Sequence, residues 1–336
     1  MKHSSIAPPM LNLPMRGIGF ILVAMMVLPI QDVIIKLISG GYPVHQIVFV
    51  RSIFALFLIL LLAKFEGGFQ LLKTQQPLWQ LGRGFLLFLA YTTYYLALAA
   101  LPLGDVIALF FSSPLFVTAL SIPMLGEWVG WRRWAAVVVG FVGVIIVLRP
   151  GLGIIEPAAI LALFASLFYS FTVILTRHVG KTDSGTSMVF YSTLVYIACS
   201  AVIGVSIGFR EFPINDHPSL QFLLRPWTTP ASFDLMLIAL VAGTFTIGFY
   251  CLSQAYRFAP PALIAPFEYL SLPLGILLGY LIWGDVPDIY MIVGTIFIIG
   301  SGLYVLKRAA PPKLLPKKAN EMSEKSSAAK ITKIPN

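Results

Sequence analysis

Charge is scarce in this chain. Of its 336 residues only 11% are Asp, Glu, Lys or Arg, against about 25% in an ordinary soluble domain, while 58% are hydrophobic and the mean hydropathy is +0.88. That deficit excludes a water-soluble globular domain and points to a chain dissolved in lipid. Cysteine is scarce too. Cys199 and Cys251 are the only two, both inside apolar runs, where they read as small buried hydrophobes and not as a disulfide. The four histidines, His3, His45, His178 and His217, are scattered through tails and loops without metal-ligand spacing, and there is no H-E-x-x-H, G-x-S-x-G or P-loop stretch. The residues therefore offer no metal site, no cofactor site and no nucleotide chemistry. The net charge of +9 is not a nucleic-acid footprint. Its basic residues concentrate in "KRAAPPKLLPKKANEMSEKSSAAK" from Lys307, too poor in apolar residues to fold and suited to lie against anionic lipid.

What the chain has in abundance is long apolar runs. A hydrocarbon core of about 30 Å needs about 20 helical residues at 1.5 Å each, and ten stretches approach or meet that length: 17–38, 44–63, 84–101, 106–125, 134–148, 154–176, 187–208, 233–256, 262–283 and 289–306. The first is too long for a secretory h-region, contains Asp32 and Lys36, and reads as a retained helix. The expected fold class is all-α, a polytopic membrane protein of ten transmembrane helices. With a cytoplasmic N-terminus the opposite side holds only Lys36, Arg149, Arg210 and Arg225, and the remaining loop cations fall inside; both termini are expected in the cytoplasm. The segment from Phe209 to Ser232, with Pro213, Pro218, Pro226 and Pro230, is the one long external loop.

The ten spans divide into two sets of five. Sliding the chain by 158 positions puts Pro102 on Pro260, Gly126–Glu127 on Gly284–Asp285 and Arg149 on Lys307; a shift of 141 puts Lys36 on Arg177. An odd number of spans per set forces opposite orientations, the inverted repeat of secondary transporters. The stretch "LPLGDVIALFFSSPLFVTALSIPMLGEWVGWRRWAAVVVGFVGVIIVLRPG" from Leu101, with Pro114, Gly126–Glu127 and the terminal "RPG", resembles the second half of an EamA domain. "KLISGGYPVHQIVFVRSIFA" from Lys36 is similar to that family's second-helix entry, with Arg51 at its arginine. In the second half Asp285 stands where the family has glutamate, and Leu272 stands at the Pro114 equivalent. The resemblance implies a member of the drug/metabolite transporter superfamily with a tail over 1–15, EamA-like repeats over 16–150 and 151–308, and a disordered basic tail over 309–336.

Several residues are out of place in such a helix bundle. Glu268 lies in "PFEYLSLPLGILL", six residues or about 9 Å into the ninth span, where facing lipid would cost at least about 2.5–3.5 kcal/mol. It reads either as a proton-coupling or ammonium-binding acid or as a structural carboxyl bonded within the bundle. Asp32 and Lys36 are four apart on one helix face and can pair with each other, with Lys36 snorkelling outward. Arg51 needs carbonyls or a carboxylate, and Asp32 and Glu268 are the acids at hand; a fixed helix-tethering bridge is the plainer reading. Tyr91, Tyr94 and Tyr95 recur at helical spacing, the 158 shift sets Phe249 opposite Tyr91, and with Phe110 and Phe267 they form either a stacking surface for a solute or ordinary packing. Pro114 and Pro273 can interrupt their helices. Gly275 and Gly279, like Gly204 and Gly208, make a G-x-x-x-G pair that calls for close helix contact inside the bundle.

These readings converge on a secondary transporter in a bacterial inner membrane. Its partners are a small organic solute and the lipid bilayer, with no nucleic acid, no cofactor and no catalytic residue. A proton gradient is the natural driving force where no nucleotide motif exists, and the resemblance implies solutes such as amino acids, nucleoside-like metabolites, S-adenosylmethionine, riboflavin or drugs. A membrane enzyme acting on a lipid-linked substrate would need a cluster of His, Asp, Ser or Arg at one interface. A non-transporting scaffold would need a soluble domain or binding tail. The sequence displays neither, and leaves substrate, direction, coupling ion and oligomeric state open.

Overall fold

The computed structural model describes residues 12–125, 130–149, 156–180, 182–210, 212, 217–258 and 261–309. Among them every regular element is helical. The N-terminal half comprises α1 (Asn12–Ile38), α2 (Val44–Glu66), a 3-10 turn (Phe69–Leu72), α3 (Pro77–Ala100), α4 (Leu103–Phe110), α5 (Ser113–Leu125) and α6 (Trp131–Leu148). The C-terminal half comprises α7 (Pro157–Val179), α8 (Gly185–Ile207), α9 (Pro218–Leu224), α10 (Ser232–Phe258), α11 (Pro261–Glu268), α12 (Ser271–Trp283) and α13 (Ile289–Ala309). Nine stretches of the described residues are long and apolar enough to span a membrane, and the tenth, Ile289–Val305, is apolar but shorter. The chain is thus a ten-helix polytopic membrane protein. Large apolar side chains such as Phe57, Val205 and Leu281 are 66–76% exposed, the inside-out distribution that lipid solvation allows.

Three elements differ from the sequence expectation. Helix α3 begins at Pro77, not at residue 84, because proline at the first helical position costs no hydrogen bond; the extra turns carry Gln80 and Arg83, both buried and bonded to the opposite half. The long loop after α8 is not featureless. It contains α9, and Trp227 packs its indole against Gly204 and Gly208, so that this glycine pair receives a side chain from the loop instead of a neighbouring helix.

The third difference concerns the fourth and ninth spans, which are both broken. Pro114 has no N–H for the Phe110 carbonyl and its ring crowds that group, so the helix interrupts at Phe111–Ser112. Serines of α7 bond to the residues at the break: Ser170 Oγ donates to Ser113 O at 3.0 Å, and Ser166 Oγ lies 2.8 Å from Ser112 Oγ. Pro273 has the same effect in the ninth span, interrupted at Tyr269–Leu270, where Ser271 Oγ donates to Glu268 O at 2.8 Å. Adding 158 to the bounds of α4 and α5 reproduces the bounds of α11 and α12, so the two breaks are equivalent.

The most extensive helix contacts join one half to the other: α1 to α10, α6 to α13, α3 to α7 and α2 to α8. Where α6 crosses α13 the backbones touch, since a Cβ on Gly143 would stand 2.7 Å from Gly294 O and one on Gly294 would stand 2.6 Å from Gly143 O. The α12 face carrying Gly275 and Gly279 lies on Ile107 and Leu103 of α4, bringing the two broken spans together.

Candidate functional site

The breaks meet at the centre of the bundle. Phe111 in the first and Tyr269 in the second have ring centroids 4.8 Å apart. Glu268 ends α11 immediately before its break and is partly accessible. An acid at a helix interruption inside a membrane protein meets loosened backbone and open space, not lipid.

From Tyr169 a continuous row of rings leads across the centre. Tyr169 lies 5.1 Å from Phe110, Phe110 5.2 Å from Tyr94, and Tyr94 6.3 Å from Tyr91, which in turn lies 5.6 Å from Phe249. Tyr91, Phe110 and Tyr169 keep part of their surface accessible. Tyr94 donates its hydroxyl to Asp32 at 2.9 Å. The row therefore runs from Tyr169 to Asp32 on α1 and to Phe249, with rings contributed by α3, α4, α7 and α10.

Behind the row lies Arg51, 1% exposed. Its Nη1 donates to the Tyr95 hydroxyl at 3.3 Å, and the same oxygen accepts from Gln31 Nε2 at 2.8 Å. The guanidinium carbon is 4.4 Å from the centroid of Phe245, 5.2 Å from that of Tyr196 and 5.7 Å from that of Tyr95. Such cation–π contacts are worth about 2 kcal/mol or more when water is excluded, and they hold the charge without using its donors. Arg51 Nε and Nη2, together with Gln31 Oε1, have no hydrogen-bond partner among the described residues. A buried donor or acceptor left in that condition costs about 1–3 kcal/mol.

Several expected pairings are therefore corrected. Asp32 pairs with Tyr94 and not with Lys36. Lys36 turns the other way, donating to Leu101 O and lying 3.9 Å from Asp285 of the opposite half. Arg51 forms no bridge to Asp32 or Glu268; rings enclose it instead. Phe267 does not join the aromatic row but packs with Ile21, Ala24, Met25 and Cys251 in a separate apolar cluster. Pro114 sits just after the first break, Gly275 and Gly279 lie on the α4–α12 contact, and Gly126 and Glu127 fall outside the described residues. Sequence reasoning missed Gln31, Tyr169, Tyr196 and Phe245. Gln31 was the detectable one, an uncharged polar residue next to Asp32 in an otherwise apolar helix. The three aromatics look like every other ring in a spanning helix.

A second polar concentration lies at the end of the bundle near Leu101. A cavity of about 170 Å³ is bordered there by Asp105, Arg149, Asp285 and Asp288, with Pro102, Gly104, Gly279 and Met291. Arg149 pairs with Asp288, and both this pair and the Lys36–Asp285 pair connect one half to the other. The opposite end has its own ties between halves: Gln80 Nε2 donates to Asp183 at 2.7 Å, Thr74 also donates to Asp183, and Thr186 donates to Glu66 at 2.5 Å.

Comparison with known proteins agrees with this architecture. A solved crystal structure superposes with a TM-score of 0.59 over 90% of this chain and 99% of the other, at 16% identity, a likeness of fold. An S-adenosylmethionine uptake transporter of Rickettsia conorii is 27% identical over 87% of this chain and 92% of its own length. A riboflavin transporter of Vibrio cholerae is 29% identical over 87% and 93%, and the pseudopaline exporter CntI of Pseudomonas aeruginosa is 24% identical over 86% and 95%. The profile of the EamA-like transporter family matches twice, over residues 15–149 and 156–306. The chain belongs to the EamA-like transporter family, and it is a multi-pass bacterial membrane transporter of small metabolites, not an enzyme.

Proposed function

We propose that the protein carries its solute by alternating access. Two repeats, 16–150 and 151–308, lie in opposite orientations in the inner membrane with both termini cytoplasmic, and they rock about the crossing of α4–α5 with α11–α12. The observation that carries this reading is the equivalence of the two helix breaks and their contact through Phe111 and Tyr269. Interrupted helices at corresponding positions of two repeats are the usual surroundings of a solute site. Solute passage is coupled to a proton at Glu268, which alternates between a protonated form in the closed centre and an ionised form at either opening. Asp32, held by Tyr94, supplies the second acid of the site and suits a cationic group.

The aromatic row sets the solute class. S-adenosylmethionine and riboflavin both carry a flat heterocycle, and Tyr91, Tyr94, Phe110, Tyr169 and Phe249 supply faces on which such a ring stacks. The test is uptake into proteoliposomes of each of these two compounds, with and without an imposed pH gradient, by wild type and by Glu268→Gln. Gradient-driven accumulation by wild type, reduced in Glu268→Gln to slow equilibration that ignores the gradient, is the expected result. Equal gradient-driven uptake by both proteins would remove Glu268 from the coupling path.

A further inference from the structure

We propose that the free edge of Arg51, Nε with Nη2, is the receptor for a carboxylate on the transported solute, beside the ring-stacking row. The inference rests on the transport reading above and narrows its substrate class.

Nη1 is committed to Tyr95, and three rings lie within 5.7 Å of the guanidinium carbon. What remains is Nε and Nη2, which form one side of the planar fork. Their N–H bonds run parallel at the spacing of two carboxylate oxygens, the geometry of a bidentate Arg–carboxylate pair. Neither nitrogen makes a hydrogen bond to the described residues. A purely structural arginine at 1% exposure would be expected to spend these donors on a carboxylate or on backbone carbonyls. Asp32 does not serve, because its partner is Tyr94. The rings satisfy the charge of Arg51 and leave its hydrogen-bonding edge unused.

Gln31 strengthens the assignment. It hangs on the same Tyr95 oxygen as Arg51 and leaves Oε1 without a partner. Two unpartnered donors on Arg51 and one unpartnered acceptor on Gln31 match the carboxylate and ammonium of an α-amino-acid head group. Tyr95, Tyr94 and Tyr91 follow one another on α3, with ring centroids 5.8–6.3 Å apart. A head group at Arg51 thus leaves its attached heterocycle on the aromatic row. This separates the two solute chemistries: S-adenosylmethionine carries a carboxylate, and riboflavin does not.

The experiment compares proteoliposome uptake of S-adenosylmethionine, its decarboxylated derivative and riboflavin. Wild type, Arg51→Lys and Arg51→Met are used, each checked for a monodisperse elution profile. The expected result is that wild type moves S-adenosylmethionine at least about tenfold faster than the decarboxylated form, as loss of a bidentate pair requires. Arg51→Met removes that preference, and Arg51→Lys, which keeps the charge without the fork, retains only part of it. If wild type moves the decarboxylated form equally fast, or moves riboflavin alone, the carboxylate assignment is overturned while transport stands. If wild type moves none of the three, the heterocyclic solute class proposed above fails and takes this inference with it. The wild-type comparison decides even where an Arg51 variant does not fold.

Discussion

Tyr95 shows how much one atom can organise in a medium without water. Its hydroxyl accepts from Gln31 on α1 and from Arg51 on α2, so three helices of the N-terminal half are fixed at a single oxygen. Tyr95→Phe would leave both donors unpaired; we expect a loss of about 1–3 kcal/mol, visible as a lower melting temperature in detergent. Asp183 makes a comparable knot in the loop between α7 and α8. Burial alone would raise its carboxyl, but hydrogen bonds from Thr74, Gln80 and Thr182 outweigh that and hold it below the usual carboxylate range. A depressed acid stabilises the fold fully above its unfolded value, near 3.9, and that contribution fades as pH falls through the lower folded value. Asp183→Asn should therefore lower the melting temperature at neutral pH, and its deficit against wild type should shrink in acid. A deficit independent of pH would mean that the charge of Asp183 contributes nothing. At this scale the sequence was informative wherever a polar group interrupted an apolar run, as at Asp32, Arg51 and Glu268. It could not give their partners. Lys36 and Asp32 share a helix face, yet each finds a better contact across the bundle, with Asp285 and Tyr94 respectively.

Among elements, the broken spans are the most informative. Pro114 and Pro273 announce interruptions, but a proline alone marks only the neighbourhood of a break. The first falls at Phe111–Ser112, where Ser166 and Ser170 of α7 bond to Ser112 and Ser113, and those serines lie more than fifty positions away in the chain. The span count was legible because ten apolar runs are separated by turns; the break points were not, because they depend on tertiary partners. The α4–α12 contact allows a direct check. A side chain on Gly275 would run into Ile107 beside Leu103, so Gly275→Val should separate the two helices, cost about 1–3 kcal/mol as overpacking does, and slow transport. An unchanged melting temperature and rate would show that this close approach has no role.

The whole molecule is held chiefly by contacts between its halves, and any transport cycle must break some of them. The end near Leu101 is closed by α12 lying on α4, by the Lys36–Asp285 pair and by the Arg149–Asp288 pair. Alternating access requires this end to open. A Cβ on Gly279 would lie 3.7 Å from the Cβ of Leu103, which suits a disulfide, whose Cβ atoms stand about 3.8 Å apart. The decisive measurement is solute uptake by Leu103→Cys/Gly279→Cys, in a background with Cys199 and Cys251 replaced by alanine, before and after oxidation. The account predicts transport by each single variant and by the reduced pair, arrest on oxidation, and recovery when reductant is added. Uptake by the fully oxidised pair at the reduced rate would contradict it, because the two halves would then carry solute without moving apart at this end.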